Sequence, residues 1–223
     1  QSNMSGRGDL DELPPIVDER ILMFREGQWQ QAHEPLHLDE PGKTGAGMGM
    51  SFASRLLAQS ANDRIGLVPT AVGGTPLERW MPQGDLYERA MGRAQQSRSE
   101  GRMAGVLWHQ GENDAANEEK SRTYGERLKC MIDALRQDLA CPGLPFVAGE
   151  LADALSLVPV RKNYPLINRA LHALEGEVDH YAVASAGGLI HKQGDPHHLD
   201  TLSLREFGRR YAECYLRIAK SCP

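Results

Sequence analysis

Four short apolar runs, separated by longer segments of helical periodicity, constrain the fold of this chain more than any other feature. The runs occupy residues 65–69, 103–108, 144–149 and, less clearly, 180–184. Apolar residues recur at three- and four-residue steps in the segments around them. We predict helices over residues 48–60, 86–100, 118–139, 163–174 and 202–219. Buried strands that alternate with helices predict a parallel sheet covered by helices on both faces.

The size and charge of the chain indicate one domain and exclude some partners. Its 223 residues contain no internal repeat or low-complexity linker, so we predict a single domain over residues 1–223. Residues 1–47 are rich in glycine and proline and predict loops. The net charge is −5 without a run of five like charges, and no apolar stretch approaches the roughly 20 residues of a membrane span. We therefore expect neither nucleic acid nor a membrane as a partner.

The four cysteines do not form a recognisable framework. No CxxC pair is present, which excludes a zinc ribbon. Cys130 with Cys141, or Cys214 with Cys222, could each close a short loop, and free thiols fit the spacing equally well. No signal peptide is visible, but the chain starts abruptly at a motif, so a leader could precede it. We favour a secreted or periplasmic protein over a cytoplasmic one.

A serine near the start and a histidine near the end are candidates for nucleophilic catalysis. The hydroxyl of Ser2 is a weak nucleophile until a base removes its proton. His198 is the candidate base, and Asp195 precedes it by three residues, so one turn lets the carboxylate accept the imidazole proton. The residues allow other readings of this segment: a helix N-cap, a solvated histidine pair, or a metal site. Those readings use Asp200 or Thr201, His197 with His198, and His191 with His197 and His198, respectively.

Two further polar clusters follow predicted strands. Glycines at 73 and 74 would let a backbone N–H approach a substrate, and Gln110 offers a side-chain amide. An ordinary turn and a loop-capping amide are the alternatives. Because ligands of parallel sheets bind beyond the carboxyl ends of the strands, we expect these clusters and residues 195–198 to converge on one edge.

Four blocks, in order along the chain, resemble those of the SGNH (GDSL-like) hydrolases. They are Gln1-Ser-Asn-Met4, Gly73-Gly-Thr75, Trp108-His-Gln-Gly-Glu112 and Asp195-Pro-His-His-Leu199. Within that superfamily they are most similar to carbohydrate esterase family 6 and the sialate O-acetylesterase-like proteins. Residues 29–37 also resemble a segment of plant and bacterial members, so the resemblance spans almost the whole chain.

The resemblance implies a fold and a set of roles. The fold would be a flavodoxin-like three-layer α/β/α sandwich around a parallel sheet of about five strands. Ser2 would attack an acetyl carbonyl, His198 would act as base and then acid, and Asp195 would orient His198. The N–H groups of Ser2 and Gly73 and the side chain of Gln110 would form the oxyanion hole. Most of the superfamily has asparagine at that last position, whereas the closer family has glutamine.

Further expectations concern residues around this triad. Glu112 would support His198 or the Ser2 loop, or simply stabilise its turn; we favour support without catalysis. Asn3 would support the site or contact substrate. Trp108 is expected in the core and Trp80 against a sugar. In the family the nucleophile follows a first, central strand, so we expect a strand upstream of residue 1.

The implied substrate is an acetylated oligo- or polysaccharide, such as acetylated xylan or an O-acetyl sialate. No cofactor and no metal are implied. Three alternatives remain open: a general short-chain carboxylesterase or lipase with the same triad, a non-catalytic carbohydrate-binding protein, and a metal-dependent deacetylase.

Overall fold

Six short strands form two three-stranded sheets in the computed structural model, which describes residues 1–40, 42–59 and 63–219. The first sheet contains β1 (Ile21–Arg25), β2 (Gln28–Gln31) and β3 (Ile65–Leu67) in the order β2-β1-β3. The second contains β4 (Val106–Trp108), β5 (Phe146–Gly149) and β6 (Tyr181–Ala184) in sequence order. All pairs of the second sheet are parallel, whereas β1 pairs antiparallel with β2 and parallel with β3.

Helices connect these strands. They are α1 (Ser2–Ser5), α2 (Gly49–Leu57), α3 (Asp85–Ser97), α4 (Glu118–Arg122), α5 (Tyr124–Asp138), α6 (Tyr164–Ala173) and α7 (Thr201–Ile218). Short 3₁₀ turns lie at Leu77–Trp80, Asp114–Ala116, Asp153–Leu157, Pro159–Arg161 and Leu174–Gly176. Within the described ranges, no helix combines the length and apolar character needed to cross a membrane.

Both faces of the second sheet are buried under helices. Phe146 and Ala148 of β5 belong to a core cluster with residues of α3, α5 and α6. The residue between them, Val147, belongs to another cluster with residues of α2 and α7. This alternation follows the two-residue period of a strand. The prediction of a parallel sheet between two helical layers is therefore confirmed for β4, β5 and β6.

The prediction of one parallel sheet of about five strands is wrong in its count and continuity. Each sheet has three strands in the described part of the chain, and the first includes an antiparallel hairpin. The reason lies in the apolar run Ile21–Arg25, which pairs with β2 on one side and β3 on the other. The strand at residues 65–67 thus finds its partner within residues 1–47, which were predicted as loops.

Helix α7 lies unusually close to its neighbours. A Cβ on Gly208 would stand 2.1 Å from Ser51 Oγ and 2.2 Å from the Met48 carbonyl oxygen, so only glycine allows α2 and α7 to approach this closely. A Cβ on Gly149 would stand 2.0 Å from the Tyr211 hydroxyl, which places α7 directly on β5. These contacts fix the position of the loop that enters α7.

Neither of the two short cysteine loops considered from the sequence forms. Cys130 is an exposed free thiol and Cys214 a buried one, while Cys141 is disulfide-bonded. Cys222 lies outside the described residues.

Candidate active site

A hydrogen-bonded chain of three side chains joins the two ends of the sequence. Ser2 lies in the first turn of α1, and its Oγ is 3.0 Å from His198 Nε2. On the other side of the ring, His198 Nδ1 is 2.6 Å from Asp195 Oδ2. The side chains of His198 and Asp195 are 26% and 37% exposed, so solvent and solutes reach them. This is the arrangement in which an imidazole accepts a hydroxyl proton while a carboxylate holds its other nitrogen.

The charge state of Asp195 suits this role. Partial burial would raise the pKa of this carboxyl, but hydrogen bonds from His198 and from the His197 backbone N–H outweigh burial and lower the pKa. The His197 N–H donates to Asp195 Oδ1 at 3.0 Å, which leaves Oδ2 for the imidazole. Asp195 is therefore ionised at neutral pH and accepts a hydrogen bond from the Nδ1–H of His198.

Asn3 connects the serine segment to the histidine loop. Its Oδ1 accepts the Leu199 N–H at 3.0 Å, and its Nδ2 donates to the His197 carbonyl at 3.1 Å. The side chain is buried, with Glu112 Oε1 at 3.5 Å from Nδ2. Asn3 therefore contacts protein on both sides of its amide and holds the segments that flank the triad.

Gln1 makes the matching connection to the other two loops. Its Nε2 donates to the Thr75 carbonyl at 2.8 Å, and its Oε1 accepts the Asn113 N–H at 3.3 Å. Asn113 in turn donates to the Gly74 carbonyl at 3.0 Å. The expected convergence of the polar clusters is thereby confirmed. The roles of Gln1 and Asn113 were not predicted from the sequence. For Gln1 the available signal was the pair of amide side chains, Gln1 and Asn3, on either side of Ser2.

Buried Glu112 lies beside Asn3 and His109 rather than beside His198. Its Oε1 is 3.5 Å from both Asn3 Nδ2 and His109 Nδ1. Its other oxygen, Oε2, has no hydrogen-bond partner among the described residues. The contacts of Glu112 are those of a residue that supports the Ser2 segment through Asn3.

The two proposed oxyanion donors beyond Ser2 already donate to protein acceptors. The Gly73 N–H donates to Asp39 Oδ2 at 2.8 Å. Buried Gln110 donates through Nε2 to the Thr75 carbonyl at 3.1 Å and to Asp114 Oδ2 at 2.7 Å. By contrast, the N–H of Ser2 lies in the first turn of α1, where no intrahelical acceptor exists. The oxyanion roles of Gly73 and Gln110 stay predictions.

Trp80 is not placed to stack on a sugar, so that expectation is wrong. The residue is 7% exposed, and its ring packs edge-on against Trp108 with centroids 5.6 Å apart. Its Nε1 donates to Thr75 Oγ1 at 3.0 Å. Trp80 completes the core because the 3₁₀ turn Leu77–Trp80 directs the ring inward. The core position of Trp108 is confirmed.

Comparison with known proteins assigns the chain to a family. Residues 1–217 match the family described as carbohydrate esterase, sialic acid-specific acetylesterase. The chain belongs to this family. As a member of this carbohydrate esterase family, the protein is a carboxylic ester hydrolase.

Relatives of the family share both sequence and fold with this chain. A probable carbohydrate esterase of Arabidopsis thaliana is 33% identical over 237 residues, which cover 97% of this chain and 87% of the relative. The X-ray structure of an Arabidopsis thaliana protein superposes with a TM-score of 0.89 at 31% identity, over 99% of this chain and 96% of that one. A carbohydrate acetylesterase from Xanthomonas citri has the same fold, with a TM-score of 0.65 at 22% identity, over 92% of this chain and 50% of that one.

Proposed function

We propose that this esterase removes O-acetyl groups from carbohydrate through an acyl-enzyme formed on Ser2. The observation that carries the proposal is the hydrogen-bonded chain from Ser2 Oγ to His198 Nε2 and from His198 Nδ1 to Asp195. The carbohydrate substrate is supported by the description of the family and by the names of the relatives.

The reaction would proceed in two halves. In the first, Ser2 Oγ attacks the acetyl carbonyl while His198 Nε2 takes the proton of the Ser2 hydroxyl. His198 then gives that proton to the departing sugar oxygen. In the second, His198 takes a proton from a water molecule as that water attacks the acetyl-serine carbonyl. His198 then gives the proton to Ser2 Oγ as the bond between Oγ and the acyl carbon breaks, which regenerates the serine and releases acetic acid. Asp195 stabilises the imidazolium in both halves. A positioned base of this kind contributes about 10²–10⁴ in rate.

The negative charge that develops on the carbonyl oxygen needs donors. The N–H of Ser2 is the first, because it has no acceptor within α1. The N–H of Gly73 and the amide of Gln110 are the proposed partners. Each would turn from its present acceptor, Asp39 or Asp114, towards the substrate oxygen as charge builds up. Loss of one such donor typically costs about 2.7–4 kcal/mol of transition-state stabilisation.

Paired substitutions test the proposed triad. We expect Ser2→Ala and His198→Ala each to lower kcat for an aryl acetate and for an acetylated xylo-oligosaccharide by at least about 10³, since each removes one member of a concerted set. His197→Ala is the matched control: the exposed His197 side chain makes no hydrogen bond among the described residues, and its ring only neighbours that of His198, with centroids 6.3 Å apart. The hydrogen bonds of His197 to Asn3 and Asp195 come from its backbone, which the substitution keeps. Mass spectrometry after reaction with a phosphonate ester should show one adduct on Ser2.

Unchanged turnover by Ser2→Ala, or an adduct on another residue, would overturn the serine mechanism. A panel of acetylated xylan fragments, O-acetyl sialate and aryl esters of increasing acyl length tests the substrate class. We expect acetyl esters of sugars to give the highest kcat/KM. A preference for longer acyl chains would instead favour a general esterase.

A further inference from the structure

A buried arginine lies between the end of α1 and the loop that carries Gly73. Arg7 is 7% exposed, and its Nη1 donates to Ser5 Oγ at 2.6 Å and to the Gly6 carbonyl at 2.9 Å. Ser5 Oγ in turn donates to the Ser2 carbonyl at 3.1 Å. One end of the guanidinium therefore fixes the turn that begins with the proposed nucleophile.

The other end of the guanidinium reaches the Gly73 loop through Asp39. Its Nη2 is 3.3 Å from Asp39 Oδ2, the same oxygen that accepts the Gly73 N–H at 2.8 Å. The Asp39 side chain is 2% exposed. Burial would raise the pKa of this carboxyl, but the hydrogen bond from Gly73 and the charge of Arg7 outweigh burial and lower the pKa. One ionised oxygen thus accepts from both the arginine and the backbone of the loop.

The backbone of residue 73 packs directly against the guanidinium. A Cβ at this position would stand 2.8 Å from Arg7 Nη2 and 2.8 Å from Glu40 Oε1, which is closer than such atoms approach, so both side chains would have to move. Glycine was expected at this position for its approach to a substrate. Its approach to Arg7 is a second reason for the absence of a side chain. A movement of Arg7 would therefore move the loop.

Both ends of the Arg7 guanidinium are needed to keep its charge paired. A buried charge is costly unless it is paired and hydrogen-bonded. Every partner that the structure describes for this guanidinium belongs either to residues 5–6 or to Asp39 and Glu40, the latter at 3.6 Å. The guanidinium is thus stabilised while the two segments keep their present separation.

We infer that Arg7 is a positioning residue of the reaction: it sets the separation between Ser2 and the Gly73 loop, with Asp39 as the link. The inference rests on the proposed function, because Ser2 is the proposed nucleophile and Gly73 a proposed oxyanion donor. Donors stabilise the transition state only where its charge develops, and the position of the nucleophile fixes that point. A change in this separation should therefore lower kcat and leave the affinity for the uncharged ester nearly unchanged.

Replacement of Arg7 tests this role through a charged mimic of the transition state. Ser2 Oγ adds to the boron of methylboronic acid while His198 takes the hydroxyl proton, so the tetrahedral adduct carries one negative charge. We expect Arg7→Met to raise the inhibition constant of methylboronic acid at least about tenfold and to lower kcat for an aryl acetate similarly, while KM changes less than about twofold. Arg7→Lys, which keeps the charge, should lie between Arg7→Met and wild type.

Arg205→Met is the matched control for stability. Arg205 forms another buried ion pair, with Glu34, and both side chains are 6% exposed, as is that of Arg7. Arg205→Met should lose stability as Arg7→Met does, but the inhibition constant of methylboronic acid should stay within about twofold of wild type. An equal loss of boronate affinity in the two variants would show that affinity merely follows stability, and would overturn the inference.

A double-mutant cycle tests the link through Asp39. Asp39→Asn keeps an acceptor for the Gly73 N–H but removes the charge that pairs with Arg7, and we expect kcat to fall about threefold. If Arg7 acts through Asp39, Arg7→Met/Asp39→Asn should be no less active than Arg7→Met. The double variant has no unpaired carboxylate at position 39, so it keeps the test decisive if Arg7→Met does not fold. Multiplication of the two single effects, or wild-type boronate affinity in the double variant, would contradict the link.

Amide NMR separates this inference from the proposed function. We expect Arg7→Met to shift the Gly73 amide resonance, because the hydrogen bond to Asp39 changes, whereas Glu40→Gln, at the 36% exposed carboxylate, should not. If wild-type protein neither hydrolysed an ester nor bound methylboronic acid, the proposed function would fail. The Gly73 resonance would still decide whether Arg7 positions the loop, and an unchanged resonance in Arg7→Met would overturn that.

Discussion

Ser2 is held in place by the residues on either side of it. Gln1 binds the loops at residues 75 and 113, while Asn3 binds the loop that carries His198. Both amides are buried, and each uses its donor and its acceptor. A short side chain between two such anchors has little freedom to move away from His198. The serine is thus oriented by its neighbours in sequence rather than by its own contacts.

Substitution of Asn3 tests this role. Asn3→Ala leaves the Leu199 N–H and the His197 carbonyl without their present partner. We therefore expect the free energy of unfolding to fall by about 1–3 kcal/mol. Because the same change frees the histidine loop, kcat for an aryl acetate should fall at least about tenfold. Urea denaturation and steady-state kinetics measure the two effects.

Asn168→Ala is the control for that experiment. Asn168 also makes two bonds with the backbone, to the N–H and carbonyl of Leu151 at 2.8 Å each, but it does not contact the triad loops. It should lose comparable stability while kcat stays near the wild-type value. An equal loss of kcat in both variants would show that activity merely follows stability.

At this scale, the sequence predicted the contacts of the proposed triad better than the surroundings of the site. The spacing of Asp195 and His198 fixes their contact locally, because three residues span one turn. Whether Trp80 is buried or exposed depends on the direction of a 3₁₀ turn and on the neighbouring ring of Trp108. No local sequence pattern encodes either of these. The side-chain amide of Gln110 donates to acceptors from residues 75 and 114. No local pattern around Gln110 could predict these hydrogen bonds.

At the scale of the elements, a second hydrogen-bonded cluster of charged side chains lies at the carboxyl ends of β5 and β6. Glu150 follows β5 and lies 2.6 Å from His172 Nε2, while Glu175 lies 2.9 Å from His172 Nδ1. The second oxygen of Glu150 accepts from Ser185, which follows β6. Partial burial opposes the charged imidazole, but the hydrogen bonds to both carboxylates outweigh it and raise the pKa of His172.

This cluster predicts a pH-dependent contribution to stability. Since the folded pKa of His172 lies above the unfolded value of about 6.5, its contribution is complete below that value and is lost as pH rises through the folded pKa. His172→Gln should therefore destabilise the protein more at pH 5.5 than at pH 9. The imidazole is 45% exposed, so solvent screening limits the difference to less than about 1 kcal/mol.

Urea denaturation of wild type and variant at both pH values measures this difference. His197→Gln serves as the control, because its exposed side chain has no carboxylate within salt-bridge distance among the described residues. The difference in the free energy of unfolding between wild type and His172→Gln could be the same at both pH values. That result would show that the two carboxylates do not stabilise the charged imidazole.

Two features of the elements were not predicted from the sequence, and each has a local reason. The hairpin of β1 and β2 turns through Glu26 and Gly27, whose φ angles are 53° and 77°. Such turns are usually recognised by asparagine or aspartate before glycine, and glutamate gives no such signal. The helix predicted over 118–139 divides at Thr123, where the backbone leaves helical geometry although the apolar period continues.

At the scale of the whole molecule, one buried ion pair joins the segment after β2 to α7. Both oxygens of Glu34 bind the guanidinium of Arg205, one of them at 2.9 Å from Nη1. Each side chain is 6% exposed, and Glu34 also accepts the Gly47 N–H. A charge in such a position depends on its partner, because water cannot replace it.

Removal of one partner should therefore be costly. We expect Arg205→Met to lower the free energy of unfolding by about 3–5 kcal/mol, since it leaves Glu34 buried and unpaired. The double variant Glu34→Gln/Arg205→Met should be more stable than the single one. Urea denaturation at pH 7 measures both.

Arg122→Met provides the comparison for an exposed pair. Arg122 and Glu118 are 2.6 Å apart on the surface of α4, and such pairs contribute about 0.3–0.5 kcal/mol. If Arg205→Met cost no more than this, or if the double variant were the least stable of all, the buried pair would not link the two segments.

The separation of Ser2 and His198 by 196 positions has a consequence for the biosynthesis of this protein. The imidazole precedes α7, and α7 must dock against α2 and β5 before the ring can face the hydroxyl. Under the proposed mechanism, a chain still growing on the ribosome would therefore carry Ser2 without its base and would not attack esters. Recovery of hydrolysis during refolding would accordingly report the docking of α7, which brings the proposed base to the proposed nucleophile.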